Sequence, residues 1–308
     1  MPEYVPDRNA TAMHGPFQFS IERSNAFGYM FDPKYTNSIC DFDALSLEIG
    51  FGTQIFRGSS TWGHALTDVL FSKFTVEYFA EDPDFAFTSG TEDHWLGQWG
   101  LGGDIQYLIS NRPGVHSMHL ALQFFNSENE NLPTINGNIR RIAGTEAYGA
   151  DFGVRVQPWR SGFVDLDLYY DLQSYTLDFP TPRTDSANGV GFSIAIHQNI
   201  SDCFTITASG TDRRPYYEYF LRFNWIPLST PGSVFELAAQ FTTAGGAGVF
   251  GYEERVSLGL TYSWCGDPYS TPRNYHDPLN RGITQELVDY THIPVVRPPQ
   301  IFERIDQN

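Results

Sequence analysis

The chain has 308 residues, of which 36 are acidic and 19 are basic, so its formal charge is −17. No nucleic-acid partner is expected, because affinity for nucleic acid depends on Lys and Arg meeting phosphate. Aromatic residues make up 16% of the chain, which excludes an acidic disordered protein, since such chains have few side chains to bury.

Apolar and polar residues alternate with a period of two along most of the chain, which predicts β-strands. In 44–56, for example, Leu45, Leu47 and Ile49 share one face and Glu48 lies on the other. The pattern predicts about twelve strands, at 16–26, 44–57, 66–80, 93–109, 115–126, 145–157, 162–174, 189–199, 203–211, 216–226, 234–243 and 253–265. The strand region 16–265 follows an extension at 1–15 and precedes a Pro-rich tail at 266–308.

The links between these strands separate two architectures that alternation alone does not. A soluble sandwich turns its apolar face inward, whereas a membrane barrel turns it outward. Acidic or Gly-rich links alternate with tight turns, the former at 81–92, 127–144, 175–188, 212–215 and 244–252, the latter at 110–114, 158–162, 200–202 and 227–233. Long loops at one end and short turns at the other are typical of outer-membrane barrels.

Strand length and aromatic placement favour the same architecture. Many predicted strands reach the roughly 9–11 residues that a membrane crossing requires. Four Trp fall at the short-turn end, where an interfacial belt is expected, namely Trp62, Trp159, Trp225 and Trp264. The sequence therefore predicts an all-β protein, a single antiparallel up-and-down transmembrane barrel of the bacterial outer membrane with an irregular C-terminal tail. An even strand number places both chain ends on the short-turn side.

The polar face of such a barrel would line its lumen. The predicted lumen-lining residues are Glu48, Lys73, Glu77, Asp104, Asp151, Arg155, Asp165, Asp167, Asp171, Glu218, Arg222 and Arg255. Acids outnumber bases on this face, which predicts a lumen that favours cations or is cross-linked by ion pairs. Arg155 is expected to pair with Asp165 or Asp167 on the next strand.

Chemistry-bearing motifs are scarce. No G-x-S-x-G, H-E-x-x-H, Walker or Rossmann pattern occurs, so no enzyme activity, cofactor or metal is expected. Asp165 and Asp167 place two carboxylates on one strand face, as hydrolysis or a metal would need, but alternation on a polar face produces the same spacing. His119 and His197 also point inward, yet spacing alone assembles no Ser–His–acid set.

The C-terminal end of the strand region resembles a known family. A last strand with Leu258-Gly259-Leu260-Thr261-Tyr262-Ser263 is followed by the Pro-rich linker and by Ile293-Pro294-Val295-Val296-Arg297. This arrangement is similar to the end of the translocator barrel of inverse autotransporters, the intimin and invasin type. The resemblance implies a twelve-stranded barrel whose linker passes back through the lumen to a secreted passenger, and it covers the strand count, the topology and roughly residues 253–301.

Four functions remain open from the sequence. The first is a translocator or anchor of the inverse-autotransporter type, serving secretion and adhesion, with the passenger expected to be absent from this chain. The second is a small-solute channel or porin-like transporter gated by the tail. A barrel hydrolase and a soluble all-β carbohydrate-binding or hydrolytic protein are the others. For the barrel functions the expected partners are outer-membrane lipid and the barrel assembly machinery that the fold implies.

Overall fold

The computed structural model describes most of the strand region of the chain. The described residues are 17–24, 28–40, 43–52, 55–67, 69–81, 96–109, 114–127, 130–133, 139–142, 145–159, 161–177, 183–201, 203–213, 216–230, 233–246 and 253–264. The predicted extension at 1–15 and the predicted tail at 266–308 lie outside them. No helix in these ranges is long and apolar enough to cross a membrane.

Sixteen strands are described. They are β1 (Phe17–Ser24), β2 (Gly28–Cys40), β3 (Asp43–Gly52), β4 (Ile55–Ala65), β5 (Leu70–Glu81), β6 (Leu96–Leu108), β7 (Gly114–Ser127), β8 (Glu130–Pro133), β9 (Ile139–Ile142), β10 (Thr145–Trp159), β11 (Gly162–Leu177), β12 (Arg183–Ser201), β13 (Phe204–Arg213), β14 (Tyr216–Thr230), β15 (Ser233–Gly246) and β16 (Glu253–Trp264).

Fourteen of these strands form one closed antiparallel barrel, in which each strand pairs with the barrel strands before and after it in the chain and β1 pairs with β16. The barrel closes between the first strand and the last, where Phe17 of β1 lies opposite Trp264 of β16. The short strands β8 and β9 form a separate hairpin between β7 and β10. The barrel sheet has no edge strand, so backbone groups of its strands are paired by neighbouring strands, as a membrane interior requires.

The all-β barrel class is confirmed, but the barrel has fourteen strands where the sequence pattern predicts about twelve. The two additional strands are β2 and β4. In β2, Pro33 interrupts the pattern, and the pairing of β2 with β3 skips Asp32 and Pro33, because proline has no N–H to donate. In β4, the small residues Gly58, Ser59 and Ser60 occupy both faces, so alternation is weak.

The apolar face of the barrel points outward. Large apolar side chains are exposed along the strands, among them Phe51, Leu122, Leu168, Phe192 and Leu258. The opposite face carries buried polar side chains such as Asp32, Asp104, Asp151, Asn224 and Thr242. A water-soluble protein would have the reverse arrangement, whereas a lipid-facing barrel requires this one. The chain is therefore a transmembrane barrel of the bacterial outer membrane, as the sequence predicts.

The two ends of the barrel differ in their links, and both carry outward aromatic residues. The long links 82–95 and 128–144 lie at one end, and links of a few residues such as 109–113 join strands at the other. Outward Trp62, Trp159 and Trp225 lie toward the short-turn end and are each 40–48% exposed. Among the outward tyrosines, Tyr107 and Tyr262 also lie toward the short-turn end, and others lie toward the loop end, namely Tyr29, Tyr78, Tyr148, Tyr170 and Tyr219. These positions fit the two interfaces of a bilayer.

Candidate functional site

The inner face of the barrel carries the charged residues that form the candidate site. Glu48, Lys73, Glu77, Asp104, Asp151, Arg155, Asp165, Asp167, Asp171, Glu218 and Arg222 all alternate on their strands with residues of the outer face. Arg255 lies in β16, and its side chain is outside the described part of the structure. Ion pairs link these charges mainly in two regions of the barrel wall, one on β2–β4 and one on β7 and β10–β12.

The first group, the arginine cluster, consists of Asp32, Lys34, Glu48 and Arg57. Arg57 donates from Nε to Asp32 Oδ1 over 3.2 Å and from Nη2 to Asp32 Oδ2 over 3.1 Å. The same guanidinium reaches Glu48 Oε1 at 2.6 Å, and Lys34 Nζ lies 3.9 Å from Glu48 Oε2. Bidentate Arg–carboxylate pairing fixes orientation as well as charge, so three strands are cross-linked at this point.

A glycine makes the arginine cluster possible. Gly50 of β3 is paired with Arg57 of β4, and a Cβ at Gly50 would fall on Asp32 Oδ1 and on the Arg57 side chain. The side chains of β2 and β4 therefore meet across β3 in the space that a larger residue would occupy. Glycine at an inward position allows this close approach.

A cavity of about 300 Å³ opens beside the arginine cluster. It is lined on one side by Asp32, Lys34, Glu48 and Arg57, and on the other by Arg222, Gln240 and Ser257. Arg222 donates from Nε to Asn224 Oδ1 over 3.0 Å, and Asn224 Nδ2 donates to Glu236. The cavity is thus bounded by groups of both signs on facing parts of the wall.

The second region contains the pair Arg155–Asp165. Arg155 Nε donates to Asp165 Oδ1 over 2.6 Å and Nη2 to Oδ2 over 3.0 Å. His197 Nε2 lies 3.3 Å from Asp165 Oδ2, and its Nδ1 lies 3.1 Å from Thr207 Oγ1. Of the two partners that the sequence allows for Arg155, the structure selects Asp165, the residue directly opposite in the strand register.

The neighbouring group, the histidine cluster, consists of His119, Asp151 and Asp167. His119 Nε2 lies 3.5 Å from Asp151 Oδ2 and 3.8 Å from Asp167 Oδ1. Ser193 Oγ donates to Asp167 Oδ2 over 2.7 Å and lies 3.1 Å from the Tyr169 hydroxyl. Asp165 and Asp167, two residues apart on one strand face, therefore contact different side chains.

The inner face also includes a further ion pair and several apolar side chains. Lys73 Nζ lies 3.9 Å from Asp104 Oδ1, with both side chains buried. Phe71, Phe125 and Ile226 are buried. The inner wall is thus mainly polar, with apolar residues at intervals. Among its described residues, Asp and Glu outnumber Lys and Arg.

Sequence reasoning missed part of the arginine cluster. Asp32 and Lys34 lie in β2, a strand that alternation does not reveal, and Arg57 lies in β4, at the last position of the predicted strand 44–57. An available signal was the inward glycine, Gly50, which leaves room for neighbouring charged side chains. Gly153 gives the same signal beside the histidine cluster, since it is paired with both His119 and Asp167.

No protein-family model matches the sequence, and no curated protein matches it. Among solved structures, the chain is similar to the CymD monoaromatic hydrocarbon channel, with 8% identity, 85% of this chain and 90% of that chain covered, and a TM-score of 0.48. It is similar to the Ralstonia pickettii toluene transporter TbuX, with 10% identity, 82% and 90% coverage and a TM-score of 0.47. It is also similar to the Acinetobacter baumannii outer membrane protein Omp33, with 8% identity, 83% of this chain and 100% of that chain covered, and a TM-score of 0.45.

Proposed function

We propose that this protein is a channel for small polar solutes across the outer membrane and that it prefers cationic over anionic ones. The observation that carries the proposal is the inner face, which presents charged residues on most strands and a cavity of about 300 Å³ between the arginine cluster and Arg222. Rings of charged side chains are a common basis of selectivity in pores. The excess of inward acids supports the preference for cations, because it makes the lumen electronegative.

A hydrocarbon substrate, of the kind named for CymD, is less consistent with this lining. An apolar solute in contact with Arg57, Glu48 or Asp32 would displace the water that hydrates these groups without replacing its hydrogen bonds. Leaving charged groups unsolvated is costly. The same groups interact favourably with hydrated ions and polar solutes.

The first experiment measures conductance of the intact, refolded chain in planar lipid bilayers. The proposed channel predicts discrete conductance steps from the protein as it stands. Residues 266–308 should modulate this conductance if the tail acts as a gate. The conductance of a variant ending at residue 265 is therefore compared with that of the intact chain. Barrel insertion is checked separately by migration of unheated samples on a gel. A folded, inserted barrel that never conducts, with or without the tail, would contradict the proposal.

The translocator function is the less favoured alternative. Its support is the final strand with Leu258–Ser263 followed by the Pro-rich tail, whereas the fourteen strands depart from the twelve that the resemblance implies. A plugged translocator predicts low conductance of the intact chain that rises when 266–308 is removed. High conductance of the intact chain favours the solute channel instead.

Membrane lipid is the partner that either function requires, through the exposed apolar outer face. We infer that the barrel assembly machinery inserts the chain, as the closed antiparallel fold implies. Depletion of that machinery should leave the chain unfolded and sensitive to protease, whereas depletion of an unrelated periplasmic factor serves as the control.

A further inference from the structure

We propose that the histidine cluster is a binding site for one divalent transition-metal ion of the zinc type. The ligands would be His119 Nε2 and one carboxylate oxygen each from Asp151 and Asp167. These three atoms lie within 4.8 Å of one another. The proposal concerns the barrel wall and does not depend on whether the lumen conducts.

The distances suit coordination better than direct ion pairing. Zinc binds imidazole nitrogen and carboxylate oxygen at about 2.0–2.2 Å, so two ligands of a tetrahedral site are separated by about 3.3 Å. The separations of Nε2 from the Asp151 and Asp167 oxygens are 3.5 Å and 3.8 Å. Both exceed ordinary charged hydrogen bonds of about 2.7–2.9 Å, and small side-chain movements would bring them to the tetrahedral value.

An unsatisfied oxygen gives the independent sign of a ligand. Asp151 is only 3% exposed, and its Oδ1 is buried without a hydrogen-bond partner in the described part of the chain. A buried carboxylate oxygen of this kind is costly unless a cation or donor satisfies it. Oδ2 of the same carboxylate is the oxygen that faces His119, and a metal ion bound there would compensate the negative charge that the two oxygens share.

The nearby basic side chains are engaged elsewhere. Arg155, four residues from Asp151 on β10, is bound by Asp165, and Lys73 lies against Asp104. Among the described residues, neither Asp151 nor Asp167 forms an ion pair with Lys or Arg. Two carboxylates and one imidazole therefore face one another with no fixed cation between them, which is the charge complement of a divalent ion.

The surrounding residues hold the ligands in place. Ser193 donates to Asp167 Oδ2 over 2.7 Å, leaving Oδ1 directed toward His119. Gly153 lies between β7 and β11 in the same row as His119 and Asp167, and a Cβ there would fall on both side chains. Outer hydrogen bonds that orient a ligand commonly affect metal affinity about 10–100-fold.

The chemistry of the donors defines the ion class. One imidazole with two carboxylates suits zinc and similar first-row divalent ions, whereas magnesium and calcium prefer oxygen donors alone. Three protein ligands leave a fourth position for water or for a group from a solute. His119 is only partly buried, with 24% of its side chain exposed, so that position is accessible from the lumen.

The test is titration of chelator-stripped, refolded barrel with Zn²⁺ by calorimetry and with Co²⁺ by visible absorption. One ion per chain is expected, with the Co²⁺ bands of a site containing nitrogen. His119→Ala and Asp151→Asn should each weaken binding at least about tenfold. Gly153→Ala should also weaken it, because it displaces two ligands without removing either.

The matched control is His197→Gln, which changes the other inward histidine and should leave the titration unchanged. Unheated gel migration and β-sheet circular dichroism verify that each variant is folded. Zn²⁺ bound through histidines elsewhere would persist in His119→Ala, and such persistence would overturn the proposal. Absence of saturable binding by the native chain, or an equal loss in His197→Gln, would also overturn it.

Discussion

Arg155 of β10 and Asp165 of β11 lie directly opposite each other in the strand register and form a two-pronged ion pair, with Nε–Oδ1 and Nη2–Oδ2 distances of 2.6 and 3.0 Å. The guanidinium carbon also lies 4.9 Å from the centre of the Phe163 ring, and that ring stacks on His197 at 4.2 Å. His197 in turn contacts the Asp165 carboxylate. The four side chains thus form a closed set of contacts that links three strands of the barrel wall.

Removing the guanidinium from this set should destabilise the barrel. We expect Arg155→Ala to lower the free energy of unfolding by about 1.5–3 kcal/mol, the range for hydrogen bonds to charged groups. Arg155→Lys should recover only part of this loss, because an ammonium cannot form both parallel bonds. Urea unfolding in phospholipid vesicles, followed by tryptophan fluorescence, measures both effects.

A double-mutant cycle isolates the pair itself. Combining Arg155→Ala with Asp165→Ala should cost less than the sum of the single changes, since each single change leaves one partner uncompensated. Additive costs would show that the two side chains stabilise the barrel independently.

The arginine cluster should influence ion selectivity in opposite directions through its two signs. Arg57→Gln removes one positive charge from beside Asp32 and Glu48, so preference for cations should increase. Glu48→Gln removes a carboxylate beside the same cavity and should decrease that preference. Zero-current potentials in a salt gradient measure both variants against the native chain.

Two results would argue against a role for this cluster in selectivity. Shifts of the same sign in Arg57→Gln and Glu48→Gln would indicate a general change in barrel shape. Unchanged potentials in both variants would place the selectivity-determining charges elsewhere. The conservative Ser59→Ala change on the same strand serves as the control, because it alters the inner face without changing its charge.

The tryptophans near the short-turn end should lie at the membrane interface. Trp159 donates from Nε1 to Gln198 over 2.7 Å, and its ring is exposed on the outer face, which matches the preference of indole for the boundary between lipid and water. Variants that retain only Trp159 or only Trp62 should be quenched most by lipids brominated near the headgroup. Stronger quenching by lipids brominated near the chain ends would place these rings in the bilayer centre.

Alternation predicts which face of the barrel a residue occupies, and this assignment is enough to predict much of the architecture. Spacing alone assigns Leu166 and Leu168 to the outer face, and Asp165 and Asp167 to the inner face. The sequence also predicts that Arg155 pairs with a residue of the next strand, because the tight turn near Ser161 joins these two strands.

Alternation does not give the register over several strands, so it does not predict which inward charges meet in the two clusters. The pairing of β7 with β10 shifts between Arg155 and Val156, and such an irregularity changes which residues share a row. The meeting of His119 with Asp167 depends on that register and on the space above Gly153. The arginine cluster additionally depends on β2 and β4, in which proline and small residues weaken the pattern.

The central claim, a cation-preferring polar channel, is tested most directly by the zero-current potential of the native chain in a planar bilayer with unequal potassium chloride concentrations on the two sides. The acid-rich inner face predicts a potential displaced toward the equilibrium potential of potassium, and the displacement should diminish at high salt, where charges are screened. A potential displaced toward that of chloride, or no current from folded and inserted protein, would contradict it.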